Sequence, residues 1–158
     1  MTLALSDQDE LERLPFFWMT QVMTHRDRRL NAALKAHNLR VPEWRALAAL
    51  HARKYLPMKE LADLASIDPT TLSRTIDRMQ TSGWVLRITD TDDMRITRLG
   101  LTPAGEKLTA RIRPIVDRLN AEATDGLPQP VVDLLCWTLQ GIQKNLEKGV
   151  QHDDVDAA

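Results

Sequence analysis

The sequence predicts a mainly α-helical fold carrying one small β-hairpin. Three observations point there. Apolar residues recur at helical spacing through most of the chain. Prolines fall where helices would begin, and glycine or asparagine near where they would stop. Two short strand-like runs, residues 85–89 and 96–101, flank the polar loop 90–95 as the arms of a hairpin flank its tip.

The first long helix starts at Pro15 and runs to about residue 37, with Met19, Val22, Met23, Leu30, Ala33 and Leu34 on one stripe. Residues 38–41 break it. Pro42 opens the next helix, to about Arg53, which buries Trp44, Leu47, Ala48 and Leu50. Residues 54–57 read as a connector, and a short helix over 58–66 turns Leu61, Leu64 and Ala65 inward. Asp68 is placed to accept the free N–H groups of a helix start, with Pro69 at its first position. That helix stops at Ser82-Gly83, where glycine takes the left-handed conformation. Its inner stripe is narrow: Leu72, Ile76 and Met79. At about 100° per residue, Thr70, Arg74, Asp77, Arg78 and Thr81 fall on the opposite side, with Ser73 at the edge. Thr102-Pro103 caps another long helix, striped by Leu108, Ile112, Ile115, Val116 and Leu119, which Pro114 is expected to bend or interrupt. After a break at 126–128, a last helix carries Val132, Leu135, Leu139, Ile142 and Leu146. Residues 151–158 read as a flexible, frayed tail.

Charge is distributed unevenly. One base faces four acids over residues 1–25, 18 bases face 11 acids over 26–118, and two bases face seven acids over 119–158. A basic middle between acidic ends marks a part that meets a polyanion, although a solvated face has the same composition. The single Cys136 excludes an internal disulfide and a multi-cysteine zinc site, and fits a reducing cytoplasm. The acidic N-terminus is unlike a signal peptide, and no stretch approaches the ~18 apolar residues of a membrane span. The expectation is a cytoplasmic protein without membrane contact. Four scattered histidines, and the absence of H-E-x-x-H, G-x-S-x-G or phosphate-loop patterns, argue against an enzyme, a metal site or a cofactor.

A short helix, a tight connection, a second helix with a polar outer face and then a hairpin is the order of a winged helix-turn-helix. Such a helix fits the major groove of duplex DNA, where base edges present a readable donor and acceptor pattern. Small Thr70, Thr71 and Ser73 permit close approach. Arg74 reaches guanine, Arg78 meets a phosphate, and the hairpin offers Arg87, Arg95 and Arg98, with Arg95 at the tip placed to enter the minor groove. A helical bundle with an ordinary polar face is the blander alternative.

These residues also resemble a known family. Val41-Pro-Glu-Trp-Arg-Ala-Leu47, Glu60-Leu-Ala62, Leu72-Ser-Arg74, Ser82-Gly-Trp-Val85, Asp90-x-x-Asp93-x-Arg95 and Leu101-Thr-Pro-Ala-Gly105 resemble the MarR family of bacterial transcriptional regulators, over nearly the whole chain. The resemblance implies a DNA-binding lobe at 41–103, with dimerisation helices at 10–40 and 104–150. It implies a homodimer on a pseudo-palindromic operator, responsive to a ligand and read here as a repressor. It implies that Asp93 braces Arg95 in the wing. It also implies an effector crevice for a small aromatic or anionic molecule, walled by Trp18, Met19, Met23 and Trp44, with Arg26 facing a carboxylate. The same apolar residues fit simple core packing, and Arg26 equally fits an ion pair across the dimer. Two features depart from the family pattern. Val41 stands where a capping Thr is common, so that helix start is expected to lack a side-chain acceptor. Residues 68–98 hold five bases and five acids, while the positive excess lies at 26–59, largely away from the base-reading face. A dimeric helical adaptor without DNA binding is therefore the alternative function.

Overall fold

A computed structural model describes residues 10–89 and 97–156, and the side chains among them up to residue 148. The elements are α1 (Pro15–Lys35), α2 (Val41–Arg53), β1 (Tyr55–Pro57), α3 (Met58–Ala65), α4 (Pro69–Thr81), β2 (Val85–Thr89), β3 (Thr97–Leu101), α5 (Pro103–Ala123) and α6 (Gln129–Asp156). Proline stands in the first turn of α1, α2 and α4, where its missing N–H is one the helix start leaves without an intrahelical acceptor anyway. The chain forms two compact units, one ending at Leu119 and the other beginning at Asn120.

The first unit is built around one apolar cluster. Leu30 and Leu34 of α1, Trp44, Leu47 and Leu50 of α2, Leu61 of α3, and Leu72, Ile76 and Met79 of α4 are buried together. Leu99 of β3 and Leu108 and Ile112 of α5 complete the cluster. Apart from Leu99 on the strand, these are positions that helical spacing selects. Leu64 is an exception, half exposed although expected inside.

Four expectations change at this level. Residues 55–57 are a strand rather than a connector: β1 pairs antiparallel with β3, Leu56 opposite Leu99, in a three-stranded sheet of order β1-β3-β2. Three residues carry no readable alternation, and the ladder of β3 supplies the backbone partners that make the strand. α5 continues through Pro114, so of the two outcomes expected there the interruption does not occur. The start of α2 does have a side-chain acceptor, because Glu43 Oε2 accepts the N–H of Arg40 at 2.8 Å. α6 continues to Asp156, past the point where fraying was expected, and no glycine or proline stands between residues 151 and 156 to stop it.

Two local devices hold α4 and the hairpin in place. Asp68 caps α4, accepting the N–H of Thr71 at 2.9 Å. Beyond α4, Gly83 adopts φ +71°, as the sequence requires. Thr102 Oγ1 donates to the Gly83 carbonyl at 2.6 Å and accepts the Gly105 N–H at 3.1 Å, capping α5. A Cβ on Gly105 would lie 2.1 Å from the Trp84 carbonyl oxygen. The motif segments around 82–85 and 101–105 are thus two halves of one clamp at the base of the hairpin.

Candidate DNA interface

α4 is amphipathic in the required sense. Leu72, Ile76 and Met79 are fully buried, while Thr70, Thr71, Ser73 and Arg74 are exposed on the other side. Thr75 turns inward, and its hydroxyl donates to the Thr71 carbonyl at 2.8 Å. The cap lowers the carboxyl pKa of Asp68 below its ordinary value, chiefly through its side-chain hydrogen bond to Thr71 and then the Thr71 backbone N–H.

The arginines assigned to DNA have different surroundings. Arg74 is exposed and has no side-chain partner among the described residues. Arg78, expected to meet a phosphate, is half buried and pairs with Oε1 of Glu43, which is only 1% exposed. A guanidinium so engaged neutralises a buried carboxylate. Arg87 Nη2 bonds Asp77 Oδ1 at 2.9 Å, tying β2 to α4. Arg98 lies partly buried on β3, in register with Ile88 on one side and Pro57 on the other. Asp93 and Arg95 lie outside the described residues.

Beside Arg74 is a cleft of ≈ 500 Å³ lined by Arg40, Pro42, Thr71, Arg74, Thr75 and Arg78. The basic excess of residues 26–59 is therefore not all remote from α4, because the fold brings Arg40 to it. No sequence signal marks this, since Arg40 and Arg74 are 34 positions apart.

The effector candidates divide as well. Met23, Arg26 and Trp44 line a groove of ≈ 440 Å³ with Arg45, Ala48, Ala49, Ala52, Leu64, Ala65 and Ser66. Trp18 and Met19 are not among its walls; Trp18 is exposed and donates from Nε1 to the Glu12 carbonyl at 2.7 Å. Arg45 and Leu64 were missed in the sequence, although alanines at 48, 49 and 52, at helical spacing beside Arg45, mark a face with room beside it. Asp27 joins the two arginines of the groove, at 3.4 Å from Arg26 and 2.9 Å from Arg45. Among the described residues, no cluster of three or more His, Cys, Asp or Glu side chains is placed to hold a metal, and no helix is long and apolar enough to cross a membrane.

A buried-cored helix with a hydroxyl-and-arginine outer face, followed by a hairpin, defines a winged helix-turn-helix protein. Residues 39–97 match the model of the MarR family. The chain is 27% identical over 142 residues to the HTH-type transcriptional repressor IacR of Pseudomonas putida, covering 90% of this chain and 85% of that protein. A MarR family transcriptional regulator from Silicibacter pomeroyi superposes with a TM-score of 0.80 at 28% identity, covering 90% of this chain and 96% of its own. A mutant MarR from E. coli complexed with operator DNA superposes at 0.70 with 25% identity, covering 79% and 90%. Residues 39–97 thus match a MarR-type winged helix-turn-helix, and over most of its length the chain is similar to MarR family transcriptional regulators, one of them solved with operator DNA.

Proposed function

We propose that the protein is a homodimeric repressor that lays α4 in the major groove of each half of a pseudo-palindromic operator and releases it on binding a small effector. The observation that carries DNA reading is the exposed row Thr70, Thr71, Ser73 and Arg74 on a helix whose opposite face is core. Arg74 supplies bidentate recognition of guanine, and the small hydroxylated residues admit the backbone to the groove wall. The wing, with Asp93 bracing Arg95, adds a minor-groove contact.

The dimer reading rests on exposed apolar side chains at both ends of the chain. Trp18, Val22 and Met23 on α1, and Leu135, Trp137 and Leu146 on α6, stand in water in the single chain. A two-fold pair covers them and spaces two recognition helices about 34–36 Å apart. The lobe at 41–103 then contacts DNA while residues 10–40 and 104–150 hold the dimer.

The groove lined by Met23, Trp44, Leu64, Arg26 and Arg45 takes an effector with an apolar, aromatic body and an anionic group. Such a ligand loosens operator binding if it prefers the dimer whose α4 helices are wrongly spaced.

Selection of bound fragments from genomic DNA with purified protein tests this reading. Recovery of a two-fold symmetric site, with binding abolished in Arg74→Ala, supports it. Failure to bind any duplex at ~50 mM salt would favour the adaptor alternative. Titration with benzoate, followed by Trp fluorescence and operator release, tests the groove, and Arg45→Ala is expected to weaken that response.

A further inference from the structure

The cleft beside α4 carries an inference about how the DNA is held, and it rests on the DNA-binding reading above. Three guanidiniums, of Arg40, Arg74 and Arg78, share its walls with Thr71 and Pro42. Only one of them is neutralised: Glu43 pairs with Arg78, and among the described residues no side chain pairs with Arg40 or Arg74. The cleft therefore carries an excess of two positive charges next to the base-reading face.

The same buried carboxylate fixes both sides of the cleft. Glu43 Oε1 holds the guanidinium of Arg78 on α4, and Oε2 accepts the backbone N–H of Arg40 ahead of α2. Arg40 thus projects from a pinned backbone, with φ −111° and ψ 159°, rather than from a loose loop. A cation on a pinned backbone beside an open cleft suits an anion that arrives with its own geometry fixed, as a phosphodiester in a duplex does.

We propose that Arg40 is a phosphate-holding residue of the operator interface, seating one backbone phosphate in the Arg40–Arg74 cleft. It takes the duty that the sequence alone assigns to Arg78, whose guanidinium is committed to Glu43. Arg40 then sets position and affinity, whereas Arg74 reaches past it to the bases and sets specificity.

Salt-dependent binding of operator and unrelated duplex separates these roles. Arg40→Gln is expected to weaken both duplexes equally and to reduce the slope of log K against log salt by about one, leaving their ratio unchanged. Arg40→Lys restores the slope. Arg53→Gln, the same charge loss at the far end of α2, leaves it intact. A wild-type slope in Arg40→Gln overturns the phosphate seat while DNA binding stands. An equal loss in Arg53→Gln also overturns it, since diffuse charge would then explain the effect. Displacement of duplex by inorganic phosphate at fixed ionic strength, dependent on Arg40, overturns it in favour of a small-anion site. Absence of duplex binding by the wild-type protein removes the DNA reading itself. A thermal melt of each variant confirms that these readouts come from folded protein.

Discussion

Arg74 and Arg78 lie about one turn apart on α4, and the sequence places both on its outer side, the first toward a base and the second toward a phosphate. Their surroundings differ. Arg78 answers a buried carboxylate, so its removal leaves Glu43 desolvated with, among the described residues, the Arg40 N–H as its remaining partner. Arg78→Ala is expected to cost about 2 kcal/mol of stability in chemical denaturation without DNA present. Arg74→Ala, on an exposed side chain, should change stability by less than about 0.5 kcal/mol. Equal stabilities for the two variants would remove the structural role given to Arg78. Asp68 allows a test by pH. Its folded pKa is depressed, so the cap contributes fully above the unfolded value and is lost as pH falls through the lower folded one. Asp68→Ala should therefore lower the melting temperature at neutral pH, with the deficit closing as the medium is acidified below both values.

Between elements, the clamp of Thr102, Gly83, Trp84 and Gly105 gives a physical reason for motif residues that a pattern merely records. Gly105 is required because α5 begins against the Trp84 carbonyl, 2.1 Å from where a Cβ would sit. Gly105→Ala must push α5 away from the hairpin base, at a cost of roughly 1–3 kcal/mol. Denaturant midpoints measure this, and an unchanged midpoint would mean that the clamp yields without cost. The helices were legible because periodicity and prolines agree at the starts of α1, α2 and α4, joined at α4 by the Asp68 cap. β1 was not, since its three residues become a strand only through pairing with β3. Glu43 as the device that caps α2 was missed for a related reason. Its sequence position allowed a cap, but the burial that makes its second oxygen available to Arg78 comes from packing.

Across the protein, α1 and α6 leave apolar side chains exposed, and these are the surface that the proposed dimer would cover. Leu135 and Leu146 lie on the stripe expected from helical spacing, yet they are 48% and 59% exposed. Leu135→Glu combined with Leu146→Glu is expected to yield monomers in sedimentation, with helical content retained and operator affinity lost. Loss of the helix instead would place those leucines in a fold-forming role. The division between the two sources of information follows from range. Local pattern, through helix periodicity, proline starts, the Asp68 cap and the glycine at 83, determined where the helices and hairpin lie and which side of α4 faces outward. Those signals act between residues a few positions apart, where spacing dictates geometry. Tertiary structure alone decided which charges meet: that Glu43 takes Arg78, that Arg40 joins Arg74 in one cleft, and that Arg45 and Leu64 complete a groove begun by Met23, Arg26 and Trp44. Charge pairing depends on distances through space, and only the packed chain sets those.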